Sequence, residues 1–97
     1  MKRYQFQAQG YDFDKVVNRV AMLFTMRPEG ILSPGKQPER VRARSLVCYW
    51  AVKELGINST AVARLLGIIQ SSVSRAVRRG ERLALDNRYS LEGEGNA

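Results

Sequence analysis

The sequence predicts an all-α fold, a small helical domain built around a helix-turn-helix. Two observations predict it. Apolar residues recur at three- and four-residue spacing through most of residues 11–79. Within that span, two short helical patterns meet at Gly67, with small and apolar residues in helix-turn-helix register. The chain of 97 residues is long enough for one such domain, and its 44% apolar content can furnish a core. The expected organisation is an extension or linker over 1–10, the domain over 11–87 and a flexible tail over 88–97.

Residues 1–10 alternate weakly at Tyr4, Phe6 and Ala8 and stop at Gly10, as a short strand or a linker does. The first helix follows from Tyr11, with Phe13, Val16, Val17, Val20, Leu23 and Phe24 forming one apolar stripe. Asp12 is its expected N-cap, and Tyr11 is placed to pack back on Val16. Asp14 in the first turn suits the positive end of the helix dipole. Pro28 disfavours a helical Arg27, so the helix is expected to end near Met26. Pro28 to Leu32 forms a single helical turn that inserts Ile31 and Leu32 into the core. Ser33-Pro-Gly-Lys-Gln-Pro38 is an exposed loop by its Pro and Gly content, with Lys36 near its tip.

A long helix is expected from about Glu39 to Leu55. Its apolar face is Ala43, Leu46, Val47, Trp50, Ala51 and Leu55, and Gly56 suits the position just past its end. Arg40, Arg42 and Arg44 crowd its first turns, where positive charge opposes the dipole. Local stability does not explain them, and a ligand phosphate does. Asn58 or Ser59 then caps a short helix running to Leu66, and Gln70 opens a last helix to Arg79 or on to Asp86. Gly80 weakens that continuation by about 1 kcal/mol relative to alanine. The segment from Leu91 to Ala97 has no periodicity and is expected to fray.

In the helix-turn-helix reading, Val62 and Leu66 face inward from its first helix, and small Ala63 lets the second approach. Gly67 takes the left-handed turn conformation, and Ile68 plugs the corner. Val73 and Ala76 or Val77 form the inner face of the second helix, which enters the major groove of DNA by its N-terminal residues. Gln70, Ser71, Ser74 and Arg75 then face base edges: Gln suits adenine, Arg suits guanine and Ser either. Ser72, Arg78 and Arg79 are placed for phosphates, which set register without reading sequence. Capping of the helix start competes for Ser71 and Ser72. Ile69 stands where serine or threonine is usual, so it meets a thymine methyl or packs.

Charge points the same way. The chain carries 16 Lys and Arg against 9 Asp and Glu, a net +7, with a pI near 10.2. Residues 36–79 hold nine basic and two acidic residues, so the whole excess lies there. Such a segment is the electrostatic footprint of a nucleic-acid binder. With no histidine, the chain excludes a His-based triad, a His general acid or base and imidazole zinc ligation. Lone Cys48 excludes an internal disulfide and a cysteine metal cluster, and suggests a reducing, cytoplasmic setting; the DNA-binding reading adds the expectation of a place near the nucleoid. The expectation is therefore no enzyme, no metal and no cofactor. No apolar run reaches membrane-spanning length, and residues 1–7 contain no signal-peptide core.

At residues 13–80 the chain resembles the C-terminal DNA-binding domain of the bacterial replication initiator DnaA. The likeness runs through Phe13-Asp-Lys-Val-Val, Ile31-Leu-Ser33, the basic loop, Arg42-Ala-Arg-Ser-Leu46 and Glu54-Leu55. It continues at Val62-Ala63, Leu66-Gly67 and Val73. It implies a Trp-repressor-like helical domain in which Lys36 of the loop enters the minor groove and Arg44 opens the long helix. The segment Gly67-Ile-Ile-Gln-Ser-Ser72 is one residue shorter than the initiator's signature and lacks its Arg, Asp and His. That departure implies an altered DNA specificity. No nucleotide-binding P-loop is present.

A closer likeness is to the DnaA-like tail of some REP-associated tyrosine transposases, at Cys48-Tyr-Trp-Ala-Val-Lys-Glu-Leu-Gly56 and Val73-Ser-Arg-Ala-Val-Arg-Arg-Gly-Glu81. That likeness implies a DNA-binding appendage, with a transposase catalytic domain fused or separate as partner.

The remaining residues carry plainer readings. Trp50 lies on an apolar stripe and is core rather than a base-stacking platform. Cys48 is a small buried residue rather than a reactive thiol. Asp12 and Asp14 cap a helix rather than hold a metal, and Tyr49 and Tyr89 lack the basic partner of a nucleophile. The expected function is thus sequence-specific binding of double-stranded DNA, with replication initiation, transposition and transcriptional regulation all open, as is a homodimer. The competing class is a protein-interaction or dimerisation module that keeps the scaffold without binding DNA.

Overall fold

A computed structural model describes residues 12–32, 35 and 37–91, and these are helical without a strand. The order is α1 (Phe13–Phe24), α2 (Pro28–Leu32), α3 (Pro38–Tyr49), a π-helical turn (Trp50–Glu54), α4 (Ser59–Leu66) and α5 (Gln70–Asn87). The extension, Tyr11 with its expected staple, Lys36 and residues 92–97 lie outside the described residues.

Asp12 caps α1 by accepting a hydrogen bond from the Lys15 amide at 3.0 Å. The helix stops two residues before the expected Met26. Thr25 turns the chain with a left-handed φ of 53°, and its amide bonds back to the last helical turn. In α2, Ile31 is fully buried, but Leu32 is 41% exposed. Five residues make little more than one turn, so adjacent side chains diverge and only one reaches the core.

Helix α3 is the pillar of the fold. Ala43, Leu46, Val47 and Trp50 pack on α1 and α2, with Ala84 and Leu91 closing that cluster. Cys48 and Ala51 face a second cluster with Val62, Ala63 and Leu66 of α4 and Val73, Ala76 and Val77 of α5. Being buried on two sides, α3 shows no single apolar stripe. It does not run as one α-helix to Leu55. Over Trp50–Glu54 the bonding widens, and the Leu55 amide reaches the Trp50 carbonyl at 3.1 Å. This i to i+5 pairing sets Leu55, rather than Glu54, under Trp50.

Asn58 caps α4 by accepting from the Ala61 amide at 2.8 Å. Gly67 ends the helix at φ 69°, a conformation that costs least without a Cβ. After Ile68 and Ile69, α5 runs unbroken to Asn87 through Gly80. Sequence reading treats Gly80 as a weak point, whereas the structure gives it a packing role. A Cβ there would lie 2.1 Å from the Ser45 carbonyl oxygen and 2.7 Å from Tyr49 Cβ. Gly80 therefore lets α5 cross α3 at backbone contact, and α3 with α5 is the most extensive helix pair. Leu91 also departs from expectation. It is only 3% exposed and belongs to the first cluster, near the Phe24 and Tyr89 rings that meet at 6.0 Å.

Candidate nucleic-acid interface

The 18 residues of α5 bury Val73, Ala76, Val77, Gly80 and Ala84 on one face. By helical spacing, Ser71, Arg75, Arg78 and Arg82 fall on the opposite face, and all four are exposed. Gln70 and Ser74 are exposed too, at the N-terminal end and on the flank toward the π-turn. Ser74 and Arg78 share a groove of about 330 Å³ with Lys53 and Ser59 there. Five expected contact residues on α5 thus stand in solvent within its first three turns, and Arg79 is exposed on the α3 side.

The flank toward α3 is built differently. Ser72 is half-buried and lines a groove of about 270 Å³ with Arg44, Cys48 and Arg79. Arg79 Nε donates to Ser45 Oγ at 3.2 Å, and that hydroxyl donates to the Val41 carbonyl at 2.8 Å. Ser45 is 1% exposed, so this bond fixes the Nε edge of the Arg79 guanidinium where the helices cross. Cys48 is buried, and desolvation raises its thiol to about 11, while the Arg44 and Arg79 guanidiniums act in the opposite direction. It is a poor nucleophile at neutral pH.

On α3, Pro38 occupies the first helical position, and Gln37 makes no side-chain cap. Arg42 is exposed, and Arg40 and Arg44 are half-buried. Arg44 Nη2 donates to the Gly35 carbonyl. This ties the loop to α3 one residue ahead of Lys36, whose own position lies outside the described residues. The Arg40 guanidinium lies against Gly35, where a Cβ would approach its Nη1 to 3.2 Å. Two of the three arginines at the start of α3 thus meet Gly35.

Ile69 precedes α5 as an N-cap with no side-chain hydrogen bond and is 66% exposed. Of its two expected roles, packing is set aside by that exposure. Sequence reading missed Arg82. Its signal was present as the i+4 neighbour of Arg78 and the i+7 neighbour of Arg75, but it lay past Gly80, in the part of the helix left open between Arg79 and Asp86.

Among the described residues no helix is long and apolar enough to cross a membrane. No protein-family model, curated protein or solved structure gives a significant match to this chain.

Proposed function

We propose that this chain binds double-stranded DNA sequence-specifically, with α4 and α5 as a helix-turn-helix and the first half of α5 in the major groove. One observation carries the reading: the face of α5 opposite its buried stripe is Ser71, Arg75 and Arg78, with Gln70 and Ser74 beside it. Of these, Gln70, Ser71, Ser74 and Arg75 match base-edge chemistry, and each good bidentate contact discriminates by about 1–3 kcal/mol. Ser72, Arg78 and Arg79 hold phosphates along the helix flanks. Arg40, Arg42 and Arg44 bring the basic loop and the start of α3 against the adjacent backbone, and Lys36 enters the minor groove.

The resemblance to DnaA-like transposase tails supports a further part of the proposal. The domain delivers a transposase catalytic unit, fused or separate, to its site. Selection of bound duplexes from a random library tests the reading. A common site of several base pairs is expected. Recovery of unselected sequence at every round is the opposing result.

A further inference from the structure

A groove of about 430 Å³ runs along the seam between α3 and α5. Arg42 lines it from α3 and Arg78, Arg79 and Arg82 from α5, over a floor of Val41 and Leu83. Among the described residues no carboxylate lines it. Four guanidiniums around one groove repel one another, by about 1 kcal/mol for a pair 4 Å apart even in water. An anion held among them reverses that sign. Arg is also suited to grip phosphate oxygens in pairs, through its planar fork.

Two further features identify which anion. The groove shares Val41, Ser45 and Arg79 with the smaller compartment at the first turn of α5, where Arg44 and Ser72 stand. The two compartments therefore adjoin along one seam, with Arg79 between them and held by Ser45. A single phosphate occupies only part of one compartment, whereas a strand offers successive phosphates to both. The apolar floor suits the sugar carbons between those phosphates.

We infer that the α3–α5 seam is a seat for the sugar-phosphate backbone of one DNA strand, with Arg82 as its far contact. The inference rests on the DNA-binding reading above and extends it. It places a backbone contact more than a turn beyond the base-facing residues, on a part of α5 that carries no base-reading role.

The test measures duplex affinity of the full chain against salt for the wild type, Arg82→Gln and Arg27→Gln. Arg27 is exposed ahead of α2 and outside the groove, so its variant removes the same charge elsewhere. Arg82→Gln is expected to reduce the slope of log K against log salt by about 1. The affinity lost between 50 and 200 mM salt then shrinks by about fourfold, and the ranking of duplex sequences stays unchanged. Arg27→Gln should keep the wild-type slope.

Equal slopes for Arg82→Gln and wild type overturn the seat while leaving DNA binding in place. A wild type that binds no duplex overturns the DNA-binding reading, and the seat with it. Inorganic tripolyphosphate separates a free phosphate ligand from a strand. Groove amide shifts in NMR spectra with tripolyphosphate, but none with duplex, also overturn the inference. Unchanged far-UV circular dichroism of both variants shows that folding is not the cause.

Discussion

Gly80 of α5 lies so close to Ser45 of α3 that a Cβ on Gly80 would stand 2.1 Å from the Ser45 carbonyl oxygen. Backbone cannot swing aside as a flexible side chain can, so the helices must part to admit even a methyl group. Gly80→Ala gains about 1 kcal/mol of helix propensity but forces apart the largest helix contact in the fold. The expected net result is a loss of about 2 kcal/mol, or a fall in Tm of about 10 °C. Urea denaturation measures it. A stabilised Gly80→Ala would mean that the helices do not cross at this distance.

Ile69 presents stability and binding with opposite demands. It caps α5 without a hydrogen bond and stands in solvent, so Ile69→Ser should stabilise the free protein by about 1 kcal/mol. If the exposed side chain meets a thymine methyl, the same change weakens binding to a selected duplex. Thermal melts and duplex titration of the one variant read both effects. Gain in both would assign Ile69 no contact with DNA.

Cys48 makes stability depend on alkaline pH. Its folded thiol is raised from 9.0 to about 11, so the folded state favours the protonated form. That contribution is fully present below pH 9 and fades as pH rises toward 11. Its full size is roughly 3 kcal/mol, from about 1.4 kcal/mol per pH unit. Between pH 8 and 10, wild type should lose stability relative to Cys48→Ala. Parallel pH profiles for the two proteins would contradict the burial account.

Arg75 and Arg42 should separate specificity from affinity. Arg75 lies on the outward face of α5, and Arg42 lies in the α3–α5 groove. Arg75→Ala is expected to cost about 1–3 kcal/mol on the selected duplex and relax preference at one base pair. Arg42→Ala should weaken all duplexes alike. Competition against single-base variants of the site distinguishes the two patterns.

Local features of this fold were legible in the sequence, and those set by distant contacts were not. Asp12 and Asn58 cap helices through amides three residues away, and Gly67 turns the chain by its own φ. The apolar set expected between Ala43 and Leu55 was legible as well: Ala43, Leu46, Val47, Trp50, Ala51 and Leu55 are all buried, although they divide between the two clusters. Gly80 was misjudged because its reason lies 35 positions away, at Ser45. Leu91 was assigned to the tail because one apolar residue shows no period, yet it fills the core near Tyr89. The widened turn at Trp50 is masked in the sequence because Leu55 also stands four residues after Ala51, so an ordinary α-helical spacing already accounts for it.

The candidate site divides along the same line. Exposure of Gln70, Ser71, Ser74 and Arg75 follows from helical period alone. Tethering of Arg79 to Ser45 and of Arg44 to Gly35 needed the helices in place.

The most direct test of DNA binding is the salt dependence of affinity for a duplex. Neutralising about six phosphates through the arginines of α3 and α5 predicts a slope near −5 in log K against log salt. A slope near zero, or no duplex binding at low salt beside a stable homodimer or partner complex, would contradict it. That second outcome would instead make the basic surface a protein-interaction module.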